Sequence, residues 1–272
     1  MTAAGTLRTG APGHYRARHV ARAEVAKIGS LRSTAVTLGL TVVAALVVTG
    51  LVTHAQLHHV APFYNGFDPT SNALSGMIVV ALTGGVFGAL LVTNEYSSGM
   101  IRGTLAATPN RPFLLAVKTG VTALLTLVFC EVLSLACFFL GQAILSGGGA
   151  PSAGLASPGA ARAVLMTGLF IALMTLMSFG FGFVFRSTAA AIAAYVAVVF
   201  VLPLVMHGVA RADVRYLPTS ILTNSIMATA HQGLGPAGLA GPLSPTVGLL
   251  LMVLYAAIAV GAGAVVFVKR DA

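Results

Sequence analysis

Residues 94–112 read NEYSSGMIRGTLAATPNRP and form a long polar interruption in an otherwise apolar sequence. Hydrophobic runs flank this segment on both sides, at residues 74–93 and 113–141. Each run is long enough to cross the hydrocarbon core of a bilayer, which takes about 20 apolar residues in a helix. The pattern therefore predicts two transmembrane helices joined by a polar helical segment that lies at one membrane surface.

The composition of the whole chain is typical of a membrane protein. Of the 272 residues, 57% are apolar and only 8% are charged, and the mean hydropathy is +0.94. Soluble domains carry about 25% charged residues, so a soluble globular fold is excluded. We expect an all-α integral membrane protein with six transmembrane helices. Residues 1–13 are predicted to be a disordered tail, and residues 14–272 a single transmembrane domain without a separate soluble unit.

The chain divides into six apolar segments and two shorter amphipathic ones. The six predicted spans cover residues 33–53, 74–93, 113–141, 162–185, 188–207 and 246–268. Residues 14–32 alternate basic and apolar side chains at helical spacing, which predicts an N-terminal helix lying in the lipid interface. Residues 219–230 are too short to span, so a re-entrant or interfacial helix is expected before span 6. Pro203 predicts a kink near the end of span 5.

Lysine and arginine are distributed unevenly over the predicted loops. With the N-terminus inside, twelve of the fifteen basic residues fall on the cytoplasmic side. This asymmetry is the positive-inside pattern, and it predicts that both termini and residues 94–112 are cytoplasmic. The net charge of +9 is explained by this topology and by anionic membrane lipids, since the basic residues lie beside hydrophobic segments. No nucleic-acid partner is expected.

Three residues inside the predicted spans are candidate sites. Of the six acidic residues, only Glu131 is expected deep within a span, where a charge is costly unless it is paired or hydrated. Glu131 is interpreted either as part of a substrate or proton path or as a structural hydrogen-bonding group. Gly84 and Gly88 form a small-residue face on span 2 that allows close approach of another helix, from the same chain or from a second copy.

Catalytic and metal-binding patterns are weak. The sequence contains no G-x-x-x-x-G-K-[ST] loop for nucleotide phosphates. No Ser/His/Asp or paired-carboxylate set is evident, so we expect no catalytic residues and no enzymatic activity in this chain. His54 and His58 have a spacing that can share a metal, with His59 beside them. No carboxylate partner is near, so no metal site is predicted, and a membrane-embedded metal-dependent enzyme remains an alternative.

Nine residues of the polar segment follow the pattern E-Y-x-x-G-x-I-R-x-T-L-x-x-x-P-x-R. They are Glu95, Tyr96, Gly99, Ile101, Arg102, Thr104, Leu105, Pro109 and Arg111. This pattern resembles the signature of six-span permeases of ATP-binding-cassette exporters, the type V exporter fold, and in particular the actinobacterial drug or lipid exporters. Residues 24–34 are similar to the N-terminal amphipathic segment of that family. Residues 185–189 are similar to its short turn between spans 4 and 5.

The resemblance implies a function for residues 94–112. They would form the coupling helix that docks on a separate cytoplasmic ATPase subunit. That subunit would bind ATP and Mg²⁺, so no cofactor is expected in this chain. A second permease copy or paralogue would complete an exporter of drugs, antibiotics or lipid-like compounds in the bacterial plasma membrane. Glu95 is expected near the N-terminus of this helix, Arg102 on the same face, and Pro109 at its end. A membrane scaffold or sensor that recruits another cytoplasmic partner is the alternative.

Overall fold

The structure, a computed structural model, describes residues 17–30, 32–59, 67–107, 110–209, 214–228 and 243–269. Every regular element in these ranges is helical. The α-helices are α1 Ala17–Ser30, α2 Arg32–His59, α3 Pro69–Ala73, α4 Met77–Ser97, α5 Met100–Ala107, α6 Arg111–Gly147, α7 Ala160–Phe185, α8 Thr188–Val196, α9 Leu202–Val209, α10 Pro218–Ile226 and α11 Pro245–Lys269. A π-helical turn, Ala197–Val201, joins α8 to α9, and a 3₁₀ turn, Val214–Tyr216, precedes α10.

Six helical segments within the described ranges are long and apolar enough to cross a membrane. They are Ser33–Leu57, Met77–Ser97, Arg111–Gly147, Ala160–Phe185, Thr188–Met206 and Pro245–Lys269. They correspond one to one with the predicted spans, which confirms that the described residues form an all-α fold with six helices long and apolar enough to span a membrane. The third span is longer than predicted and continues to Gly147. The tail at residues 1–13 lies outside the described residues, and the orientation of the termini and the lipid-interface position of α1 stay predictions.

The helix α7 is the centre of the bundle, and it packs against α4, α6, α8, α10 and α11. Its buried side chains include Phe170, Met174 and Phe179. The outer helices turn large apolar side chains outward, and Leu124 and Leu250 are 62% and 69% exposed. Such an apolar outer surface is unfavourable in water but matches the hydrocarbon of a bilayer. Burial is therefore concentrated around α7.

The small-residue face of span 2 lies against α7 of the same chain. A methyl group added to Gly88 would collide with the main-chain oxygen of Thr175. One added to Gly84 would lie 2.7 Å from the Thr175 hydroxyl. In the same contact, the Ser178 hydroxyl donates a 2.5 Å hydrogen bond to the Gly85 carbonyl. The two glycines thus allow α4 to approach α7 closely enough for main-chain contact.

The end of span 5 is fastened to α10. Pro203 has no N–H group, so it offers no donor to the Val199 carbonyl four residues earlier. The Thr219 hydroxyl, at the start of α10, donates to that carbonyl instead. The π-helical turn directly before Pro203 marks the position where a kink was predicted. In an apolar environment a free carbonyl is costly, so this bond stabilises the irregular helix and positions α10.

Replacing Gly88 by Ala should destabilise the bundle, because the added methyl group meets a main-chain oxygen that no side-chain rotation can move. We expect a loss of about 1–3 kcal/mol, the usual cost of overpacking, measured as a lower thermal midpoint of the detergent-solubilised protein. Gly120→Ala is the control, since nothing lies within 4 Å of that position, and it should keep or raise the midpoint. Equal midpoints for the two variants would contradict the packing of α4 on α7.

Candidate functional site

The polar segment between spans 2 and 3 is divided into two helical parts. Span 2 continues as α4 through Ser97, so Glu95 and Tyr96 belong to its last turn. The chain then turns at Gly99, whose φ of 71° lies in the left-handed region that glycine adopts without strain. The expectation of one helix through residues 94–112 is therefore wrong, and so is the placement of Glu95 at its N-terminus.

The second part, α5, lies with one face on the end of the bundle. Ile101 is only 4% exposed, and Leu105 packs against the same apolar cluster. Arg102 is exposed, and because a turn separates α5 from α4, the predicted shared face with Glu95 is wrong. The Thr104 hydroxyl donates to the carbonyl of Met100 within α5 at 3.1 Å. The helix thus has an anchored apolar face and an uncovered outer face.

The chain enters span 3 soon after α5. Asn110 is the N-cap of α6, and its side chain accepts a 3.1 Å hydrogen bond from the main-chain N–H of Phe113. The guanidinium of Arg111 donates to the Val268 carbonyl at the end of α11, at 3.2 Å. Pro109 lies outside the described residues. These contacts attach the second end of the polar segment to the bundle.

Four charged side chains from three helices meet at this end of the bundle, and we call them the ionic cluster. They are Glu24 and Lys27 from α1, Glu95 from α4 and Lys118 from α6. The ammonium of Lys118 lies 2.9 Å from Glu24 Oε2 and also donates to Glu95. Glu95 accepts a second bond from Lys27, whose Nζ lies 3.9 Å from Glu24 Oε1. Two acids and two bases leave the ionic cluster without net charge.

Burial makes these ion pairs mutually dependent. Glu24, Glu95 and Lys118 are 6%, 3% and 4% exposed. An isolated ammonium or carboxylate at such a position costs several kcal/mol, which is offset only by well-placed opposite charges. The cluster therefore links the N-terminal helix, the end of span 2 and the start of span 3.

The ionic cluster was missed by the sequence reasoning. Glu131 was expected to be the only acidic residue deep within a span, but Glu95 is buried in the last turn of α4, whereas Glu131 is partly buried. A signal was present, since Lys118 lies seven residues inside an apolar helix and needs a partner. Its partners were not identifiable, because Glu24 and Glu95 are 94 and 23 residues away in the chain.

A second link connects the end of span 2 to the short turn between spans 4 and 5. Arg186, at the C-terminal cap of α7, has a φ of 53° and places its guanidinium carbon 5.1 Å from the centre of the Tyr96 ring. This is a cation–π distance. The Thr188 hydroxyl donates to the Thr93 hydroxyl at 2.8 Å. The turn is thereby held against the last turns of α4.

Glu131 lies farther along α6 and faces α7. A methyl group on Gly168 would lie 2.6 Å from the carboxyl carbon of Glu131, so the glycine makes room for this side chain. Glu131 Oε2 is buried and has no hydrogen-bond partner within the described residues. Buried polar atoms are usually bonded. That Glu131 lines a substrate or proton path stays a prediction, as does its structural alternative.

The alternative function, a membrane-embedded metal-dependent enzyme, depends on histidines at the end of α2. His54 is exposed on that helix, and the side chains of His58 and His59 lie outside the described residues. The described part of the chain contains no group of three or more His, Cys, Asp or Glu side chains placed to hold a metal ion. The hypothesis of a metal-dependent activity is therefore supported by the sequence spacing of the histidines alone.

No protein-family model matches the chain, and no curated protein matches it significantly. The resemblance to exporter permeases is therefore carried by the motif residues and by the arrangement of spans. The structure brings Glu95, Tyr96, Ile101 and Arg111 together at one end of the bundle, where α1 and the turn at Arg186 also lie.

Lys118→Met should destabilise the protein strongly, because it leaves Glu24 and Glu95 buried with only Lys27 to balance them. Removing one partner from a buried ion pair costs about 3–5 kcal/mol. The measurement is the unfolding midpoint in detergent. Lys269→Met, at an exposed position in the last turn of α11, is the control and should change stability by less than about 0.5 kcal/mol.

A second substitution tests the origin of this loss. Adding Glu95→Gln to Lys118→Met should recover part of the stability, because one uncompensated carboxylate is removed. If Lys118→Met proved as stable as Lys269→Met, the ionic cluster would not exist as described.

Proposed function

We propose that this chain is the transmembrane permease subunit of an ATP-binding-cassette exporter, and that a separate cytoplasmic ATPase docks on α5 and the adjoining helix ends. The observation that supports this most is the form of α5. It is an eight-residue helix held between the ends of two spans, with its apolar face anchored and its other face uncovered. The resemblance of the nine motif residues to exporter permeases is the reason for proposing an ATPase as the partner.

The uncovered face of α5 suits insertion into a groove. Arg102 and Gly103 are exposed, and Met100 is 40% exposed. A short helix that presents small, apolar and basic groups on one side is a common form of helix-in-groove recognition. Arg102 offers a planar group for a carboxylate of the partner. Because Ile101 fixes the opposite side, docking needs no rearrangement of α5.

The contacts around α5 support mechanical coupling. Only Ser98 and Gly99 separate α5 from α4, so a displacement of α5 is passed directly to span 2. The ionic cluster ties the end of span 2 to α1 and α6, and the Tyr96–Arg186 contact ties it to the turn after span 4. Separating the buried charges is costly. Movement of a docked ATPase would therefore tilt several helices together, a shear or hinge transition.

The same proposal includes the other components of an exporter. The ATPase binds ATP and Mg²⁺, and a second permease copy or paralogue completes the complex. The cargo is an amphipathic or hydrophobic compound, such as a drug, an antibiotic or a lipid-like molecule, moved outward across the bacterial plasma membrane. In this account both termini are cytoplasmic, and Glu131 lines the path.

Co-expression with a Walker-motif ATPase from the same genome tests the docking role. Arg102→Glu should lower the permease-stimulated ATPase rate about tenfold or more, because a charge-assisted contact of about 1.5–3 kcal/mol is lost and reversed. Arg215→Glu is the matched charge reversal, since Arg215 lies before α10, near the opposite end of span 4. Arg102→Glu should keep the wild-type thermal midpoint, because Arg102 is exposed.

Two outcomes would contradict the proposal. One is unchanged co-purification and ATPase stimulation with Arg102→Glu. The other is recovery, through the same face of α5, of a cytoplasmic partner that lacks nucleotide-binding loops, which would favour the scaffold or sensor alternative.

A further inference from the structure

Glu131 lies in the longest span, at the rim of its contact with α7. It stands in the middle turns of α6, which runs from Arg111 to Gly147. Ser134, one turn later on α6, donates a 2.9 Å hydrogen bond to the Val164 carbonyl of α7. Val128, one turn earlier, is 55% exposed on the outer surface. The side chain of Glu131 therefore lies between the helix contact and the surface that would face lipid.

A glycine on α7 makes room for this carboxyl group. A methyl group on Gly168 would lie 2.6 Å from the carboxyl carbon of Glu131 and 2.7 Å from its Oε2. The main-chain N–H of Leu169 interacts with the carboxyl group, whereas Oε2 has no hydrogen-bond partner among the described residues. The side chain as a whole is only partly buried. The groove between α6 and α7 is therefore open on its outer side, and it contains an acceptor that the protein leaves unused.

Within the described part of the chain, no positive side chain compensates Glu131. The basic residues nearest to it along the two helices are Lys118 on α6 and Arg162 on α7. Lys118 lies about 20 Å away along the helix axis, at 1.5 Å per residue, and is held in the ionic cluster. Arg162 donates to the carbonyls of Met227 and Ala228. A carboxylate within a span is costly unless it is paired, hydrated or protonated, so this one favours a positive partner from outside these helices.

Apolar side chains flank the carboxyl group on the outer surface. Leu124 and Val128 precede Glu131 by two turns and by one turn, so they share its face of α6. They are 62% and 55% exposed. Leu165, one turn before Gly168 on α7, is 56% exposed. An acidic group beside aliphatic side chains matches a ligand whose positive end is attached to an apolar body.

We propose that Glu131 and these apolar side chains bind a cationic amphiphile as the cargo. The positive group of the cargo pairs with the Glu131 carboxylate, and its apolar part lies along Leu124, Val128 and Leu165. This inference rests on the proposed exporter function and narrows its cargo to compounds with a positive charge, such as amines and quaternary ammonium compounds. Neutral and anionic amphiphiles leave the carboxylate uncompensated. Because the groove opens on the outer surface of the bundle, the cargo enters it from the bilayer.

The test uses the full chain in nanodiscs of a zwitterionic lipid, without an ATPase or ATP. The probe is tetraphenylphosphonium, a lipophilic cation whose charge does not depend on pH, and equilibrium dialysis measures its binding above that of empty nanodiscs. Glu131→Gln should weaken binding about tenfold or more, because a charge pair in an apolar environment is lost. Glu131→Asp keeps the charge and should stay within about threefold of wild type. Neutral triphenylphosphine oxide should bind wild type and Glu131→Gln equally.

Matched substitutions separate this site from general uptake at the apolar outer surface. Leu124→Ala should weaken binding of the cation about threefold through lost apolar contact. Leu204→Ala, at a 74% exposed leucine of α9, should bind like wild type. Wild-type affinity of Glu131→Gln for the cation would overturn the proposal, and so would equal weakening by the two leucine variants.

The readouts also distinguish this inference from the exporter proposal. Glu131→Gln should keep the wild-type thermal midpoint, because the amide has the shape of the carboxyl group, so a loss of binding is not a loss of folding. Cation binding is measured without a partner and is read with Glu131→Gln. Docking of an ATPase is read with Arg102→Glu, so either proposal can fail while the other stands.

Discussion

The ammonium of Lys118 is the constraint on which the end of the helix bundle that carries α5 depends. It lies two turns inside α6 and is almost completely buried, so it must be compensated by carboxylates that come from elsewhere in the chain. Glu24 supplies one and thereby brings α1 onto the bundle. Glu95 supplies the other and also accepts a bond from Lys27. Three helices are thus fixed by one buried charge.

This requirement also explains the shape of the polar segment. Because Glu95 turns inward to Lys118, the last turn of α4 has to remain helical and packed, and the break in the chain moves to Gly99. The segment that remains for a separate helix is then the short α5, attached through Ile101. Residues of the motif therefore divide into two groups: Glu95 and Tyr96 hold the bundle end together, while Arg102 is presented outward.

The proposed docking surface on α5 is joined to the ionic cluster through the end of α4. A partner that moves α5 pulls on α4 through two residues, Ser98 and Gly99. That movement would act on Glu95 and its partners. The Tyr96–Arg186 contact extends this connection to span 5. Any coupling between a docked partner and the spans would be carried by these side chains, since they are the shared physical contacts.

The sequence by itself determined the six spans, because hydrophobic length is a property of consecutive residues and a lipid environment permits few alternatives to a helix. It also indicated the small-residue face of Gly84 and Gly88 and the motif around Arg102, but not the turn at Gly99. Only the tertiary structure decided that these glycines face Thr175, and that Glu24 reaches Lys118 across 94 residues of chain. Pairing between distant helices depends on their packing and rotation, and no local pattern of residues specifies either.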